Sequence, residues 1–180
     1  NEVLRSRLST TATLSGANDQ SAHPPAIWLN ASASTISRYS MDRPMNEESG
    51  ELGAGFSVDV ARNWEQEFYA APLPHTRRVA LRMSIVLGDG PATSMLLRLA
   101  RLGLGGPQHD GWWFPHRRYR GIGPAPTTEA AHSHRSRGKQ RFSWIHIDDV
   151  VGAINHLIEH KGISGPVNLV SPGVSDNAEL

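Results

Sequence analysis

Residues 141–160, RFSWIHIDDVVGAINHLIEH, set a histidine and two adjacent aspartates in front of an apolar run at helical spacing. His146, Asp148 and Asp149 are of the types that bind metals or move protons. They also stand where an alternating segment, read as a strand over 141–147, gives way to a helix over 149–160. An aspartate at such a junction accepts hydrogen bonds from the free amides of the first turn and meets the positive end of the helix dipole. The sequence therefore predicts that Asp148 caps the helix and that Asp149 adds a second charge to its first turn. A metal would need further ligands, and the nearest, His132 and His134, have no recognised ligand spacing, so no metal site is expected. His146 has two readings: it faces a substrate cleft at the carboxyl end of a strand, or it packs as a hydrogen-bonded histidine.

A second stretch, WWFPHRRYR at 112–120, interleaves aromatics with arginines. Such a pattern can stack bases and hold phosphates. Trp112, Trp113 and Phe114 can equally fold as a lid over a cleft, or stay disordered. The formal net charge is +1, from 18 basic and 17 acidic residues. That balance, with no nucleic-acid motif, argues against a nucleic-acid partner.

The elements that must position these residues follow from periodicity. The chain has 180 residues, 38% of them hydrophobic, which suits one domain or most of one. It has no cysteine, so disulfides and thiolate metal sites are excluded, and a cytoplasmic setting is expected. No apolar run approaches the ~20 residues that cross a bilayer, so no membrane partner is expected. Residues 2–15 read as a helix stopped by Gly16 and Asn18, 26–32 as a buried strand, and 41–55 as a polar loop. Residues 56–71 place Phe56, Val60, Trp64 and Phe68 on one helical stripe. Trp64 should bury against the sheet, with Glu65 solvated or paired. Residues 76–88 read as one strand, 93–106 as a helix, and 166–170 as a last strand. Residues 107–140 hold four prolines and four of the nine histidines, and read as an irregular, mobile insertion that forms no strand in the main sheet. Strands alternating with helices give an α/β class with a mainly parallel sheet.

Taken in order, NASAST, FSVDVARNWE, RRVALRMSIVLGDG, RLGLGG, FSWIHIDDVVGAI and GPVNLVSPG resemble the epimerase-like atypical short-chain dehydrogenases. These are related to the extended, nucleotide-sugar-modifying branch of that superfamily. The resemblance implies a Rossmann-like sheet with helices on both faces, NAD or NADP as cofactor, and a small-molecule substrate of nucleotide-sugar type. It also implies a glycine-rich turn after the first strand, where a pyrophosphate meets a helix N-terminus. GLGGP at 103–107 follows a helix and fails that test. The chain thus reads as a fragment without the glycine-motif half. Residues 1–106 would be the C-terminal half of the Rossmann-like domain with the start of a substrate lobe. Residues 107–140 would be the insertion, and 141–180 a strand, helix and last strand of the lobe.

That superfamily's machinery is a tyrosine, a lysine four residues later and a serine. Its logic is that a phenol near pKa ~10 must be lowered by a cation before it acts at neutral pH. By the resemblance, Phe56 stands in the tyrosine place and Val60 in the lysine place, and neither moves a proton. The serine slot falls within residues 31–34, with Ala33 in the favoured register and Ser32 and Ser34 beside it as catalytic candidates. Tyr39 precedes Arg43 by four residues and is a further candidate, although Asp42 and Pro44 favour a turn there. Ala31, Ser32, Met83 and Ser84 are the implied cofactor contacts. Arg82 and His146 are the implied substrate contacts. The functional reading is an NAD(P)-dependent epimerase- or oxidoreductase-like protein, inactive as this piece alone. The alternative is a catalytically inactive nucleotide-binding or structural member of the same fold.

Overall fold

The computed structural model describes residues 1–102, 119–127, 141–173 and 175–176. The proposed lid residues Trp112, Trp113 and Phe114, and His132 and His134, lie outside the described residues. Helix α1 (Glu2–Asp19) starts at Asn1, whose side-chain oxygen accepts from the amides of Val3 (3.0 Å) and Leu4 (3.4 Å). It runs through Gly16, past the predicted stop, and Gln20 N–H closes it on the Gly16 carbonyl. Strand β1 (Ile27–Ala33) follows and ends in a short 3-10 turn over Ser34–Ile36. A long loop leads to helix α2 (Phe56–Ala70) and strand β2 (Arg77–Met83). Strand β3 (Ile85–Leu87) and helix α3 (Pro91–Arg101) come next. After the insertion come β4 (Arg141–Phe142), β5 (Trp144–His146), α4 (Ile147–Glu159), β6 (Gly165–Leu169) and β7 (Ser175–Asp176). Among the described residues no helix is long and apolar enough to cross a membrane.

The main sheet has the order β1-β2-β6, with both pairings parallel. Successive side chains of a strand point to opposite faces, and each strand here obeys that rule with a different helix on each side. Trp28 meets Phe68 of α2 edge-on (4.9 Å between ring centroids), Arg78 Nη1 donates to the Phe68 carbonyl (2.8 Å), and Ser32 and Arg82 both reach Glu65 of α2. The intervening residues Leu29, Val79, Leu81, Val167 and Leu169 pack with Val150 and Leu157 of α4. The sheet is therefore a layer between α2, which α1 backs, and α4, as the α/β reading requires. Burial of each large apolar side chain on the α4 side contributes about 1.5–3 kcal/mol over leaving it exposed.

Two predicted strands are each split. The 76–88 strand breaks at Ser84, whose N–H (3.1 Å) and Oγ (2.9 Å) both donate to the Leu169 carbonyl. Beyond that break, β3 leaves the main sheet and pairs in parallel with β5. The 141–147 strand becomes β4, paired antiparallel with β7, and β5. Hydrophobic alternation runs unbroken through both breaks, so it carries no sign of the change of partner.

Candidate functional site

Open parallel sheets bind ligands beyond the carboxyl ends of their strands. At that end, register sets Ser32, Arg82 and Asn168 in one row and Ala33, Met83 and Leu169 in the next. Ala31, Ser32, Met83 and Ser84, the implied cofactor contacts, therefore sit together at the tips of β1 and β2. The first row points toward α2. There the Glu65 carboxylate accepts from Ser32 Oγ (2.5 Å), Arg82 Nε (2.9 Å) and Arg82 Nη2 (2.7 Å). The side chains of Arg82 and Glu65 are only 13% and 10% exposed, so this forked pair is shielded from solvent. Hydrogen bonding to Glu65 raises the Arg82 pKa against the opposing effect of burial, and the guanidinium stays charged. Ser32 is buried, with its hydroxyl proton directed at Glu65, so it ties the tip of β1 to α2. Two Arg82 nitrogens are engaged by Glu65; Nη1 is the third.

The opening of α2 holds a second polar centre. Asp59 is fully buried and accepts from Tyr119 Oη (2.5 Å), Thr127 N–H (2.8 Å) and Ile122 N–H (3.2 Å). Burial pushes the Asp59 carboxyl up, but the Tyr119 hydroxyl and the two amides outweigh it and hold the carboxyl below its ordinary value. Burial, and then Asp59 itself, push the Tyr119 phenol well above the usual tyrosine range, which removes it as an acid/base at neutral pH. Gly55 N–H donates to Thr127 Oγ1 (2.9 Å). Gly123 has φ +86°, and a Cβ there would come within 2.5 Å of Asn63 Nδ2. Residues 119–127 of the insertion thus form no strand, as expected, yet are fastened to α2.

The other candidates are placed as follows. Val60 and Phe68 of the predicted stripe are buried, but Phe56 is 42% exposed, so the stripe does not hold as a whole. Trp64 packs on α1, its Nε1 donating to Thr11 Oγ1 (3.0 Å), and Glu65 is the buried neighbour. The inward face instead follows Val58, Ala61, Glu65 and Phe68. Its 3-4-3 spacing was available in the sequence but was masked by the larger aromatic side chains of the rival stripe. Tyr39 is half-buried in the loop after the 3-10 turn, and Ser34, which opens that turn, is also half-buried. The loop holds the turn that Asp42 and Pro44 favour rather than a helix, and Arg43 Nη2 binds the Glu51 carboxylate. His146, not Asp148, is the N-cap of α4: its Nδ1 accepts from Asp148 N–H (3.3 Å). The helix begins at Ile147, two residues earlier than expected, which places Asp148 inside the first turn with its carboxylate 87% exposed. His146 belongs to the β3–β5 pair, outside the main sheet.

No protein-family profile matches the chain. Epimerase family protein SDR39U1 of Mus musculus is 35% identical over 183 residues, which is 99% of this chain and 52% of that protein. Epimerase family protein YfhF of Bacillus subtilis is 25% identical over 97% of this chain and 48% of its own length. Among solved structures, human SDR39U1 (isoform 2) with NADPH superposes with a TM-score of 0.75 at 30% identity, over 98% of this chain and 50% of that one. The nucleoside-diphosphate sugar epimerase of Corynebacterium glutamicum gives 0.74 at 26%, over 99% of this chain and 32% of that one. MoeE5 in complex with UDP-glucose and NAD shares the fold, with a TM-score of 0.66 at 19% identity. The chain spans about half the length of the curated relatives it matches. Sheet order and these likenesses agree on a Rossmann-like α/β fold, and over about half their length the chain is similar to epimerase family proteins.

Proposed function

We propose that these residues form the substrate side of an NAD(P)-dependent epimerase- or oxidoreductase-like protein acting on a nucleotide-sugar-type molecule. The observation that carries the reading is the Ser32–Glu65–Arg82 network, which fixes the tips of β1 and β2 against α2 at the ligand end of a parallel sheet. Relatives of this fold are solved with NADPH, or with UDP-glucose and NAD. A nicotinamide cofactor would supply hydride transfer, and Ala31, Ser32, Met83 and Ser84 would line its nicotinamide side. Arg82 Nη1 would face the substrate, held in place because Nε and Nη2 are fixed on Glu65. Phe56 and Val60 give α2 no tyrosine-based proton transfer. The Gly88-Asp89-Gly90 turn does precede a helix, but among the described residues its strand β3 pairs only with β5, and Gly88 abuts Ile147. It lacks the context of a pyrophosphate cradle.

Calorimetric titration of the 180-residue chain tests this. UDP-glucose should bind, and Arg82→Ala should weaken it at least about tenfold, the loss of one charge-assisted contact. NADPH should bind weakly, because partial contacts must still offset the cost of immobilising it. Absence of UDP-glucose binding, or micromolar NADPH binding by these residues, would overturn the reading.

A further inference from the structure

The loop between the 3-10 turn and α2 starts at the tip of β1, one outer strand of the main sheet. Its base is closed on itself. Gly53 N–H donates to the Ile36 carbonyl (2.9 Å), Arg38 N–H to the Glu51 carbonyl (2.8 Å), and Arg38 Nε to Glu51 Oε2 (2.5 Å), with Arg43 on the same carboxylate. Its tip is also preshaped: Asn46 Oδ1 accepts from Ser49 N–H (2.7 Å) and Ser49 Oγ (2.8 Å). The tip then reaches β6, the opposite outer strand. Asn168 N–H donates to Glu47 Oε1 (2.6 Å), and Asn168 Nδ2 donates to the Met45 carbonyl (3.3 Å). A segment anchored at β1 and tied to β6 must pass over the carboxyl end of β2 between them. Asn168 is also the register partner of Arg82.

The division of labour within this loop is informative. Its shape is set by the Arg38–Glu51–Arg43 cluster and the Asn46 turn, neither of which involves Glu47. The Glu47 carboxylate accepts from the amide of Asn168, 121 residues away. Its contribution is therefore to placement of the loop across the sheet rather than to the loop's own fold. We propose that Glu47 is a positioning residue: by latching to Asn168 it holds residues 38–52 as a strap over the ligand end of the sheet, where the strap roofs the substrate side of the cleft beside Arg82. The roofing role rests on the functional reading above; the latch itself does not.

Hydrogen exchange and ligand titration on the wild-type chain, Glu47→Ala and Glu47→Gln separate the two. Glu47→Ala should speed exchange at the Asn168 amide and across 44–50 about tenfold or more, since a hydrogen bond to a charged group is lost. Exchange across 79–82 should not change. Glu47→Gln keeps an acceptor oxygen and should restore most of the protection. In titration, Glu47→Ala should weaken UDP-glucose at least fivefold and leave NADPH as in the wild type. Unchanged exchange at Asn168 in Glu47→Ala sinks the latch. Faster exchange with unaltered UDP-glucose affinity sinks the roofing role. If the wild type binds no UDP-glucose, the functional reading and the roof fall together, and exchange alone then decides the latch.

Discussion

The two faces of the β1-β2-β6 sheet come from the same alternating strands, but only the α2 face adds a buried charged network to its apolar packing. Toward α4 the strands send Leu29, Val79, Leu81, Val167 and Leu169 into a cluster with Val150 and Leu157. Toward α2 they send Ser32 and Arg82 onto Glu65, and nearly two turns earlier the same helix buries Asp59 under residues 119–127. Apolar packing is tolerant: the cost of a change follows the volume lost and how far the site collapses. A buried charged network is intolerant, because its Coulombic gain only roughly repays desolvation, while loss of one partner strands the other. The α4 face is thus suited to holding the fold together, and the α2 face to fixing directions at the carboxyl ends.

Truncation should expose that contrast most strongly. Glu65→Ala leaves Arg82 buried without its carboxylate and should destabilise the chain by about 3–5 kcal/mol in chemical denaturation. Leu157→Ala, on the apolar face, should cost about 2–5 kcal/mol yet leave ligand titration unchanged once folded. Equal damage to ligand binding by both would mean the faces do not divide their roles.

Asp59 sharpens the comparison through pH. Its folded carboxyl sits below the ordinary value of 3.8, so in acid the unfolded chain binds more protons than the folded one. Its stabilising contribution is therefore complete about one pH unit above the unfolded value and is lost as pH falls through the folded value. Asp59→Asn should flatten the fall of melting temperature with acid relative to the wild type. An identical acid profile would show that Asp59 does not carry the fastening of 119–127.

The smallest effect concerns the start of α4. His146→Ala removes the cap acceptor and should cost about 0.5–1 kcal/mol, whereas the solvated Asp148→Ala should cost less, about 0.3–0.5 kcal/mol from the helix dipole. The reverse order would restore Asp148 as the cap.

Much of the architecture was legible because it depends on period. The helix opening at Phe56, the strand centred on Val79 and the parallel α/β class all follow from spacing. What stayed hidden depends on partners distant in sequence. Glu65 reads as solvated or paired, and nothing local names Arg82 and Ser32 as its partners. Asp59 is invisible without Tyr119 and Thr127, and nothing local ties Glu47 to Asn168. Ser84 divides a continuous apolar run because the Leu169 carbonyl takes both its donors. In sequence His146 reads as a cleft or packing residue, and Asp148 reads as the cap because Asp is the commoner cap residue.

The central claim is that the Glu65–Arg82 pair builds the ligand end of the sheet rather than serving stability alone. Replacing both residues together, Glu65→Gln with Arg82→Met, removes the charges without stranding either one, and such replacements are often neutral or stabilising. Titration of this double variant with UDP-glucose, alongside its denaturation curve, is the most direct measurement. The account predicts a stability within about 1–2 kcal/mol of the wild type and at least tenfold weaker UDP-glucose binding. Wild-type affinity in a chain without the pair would contradict it.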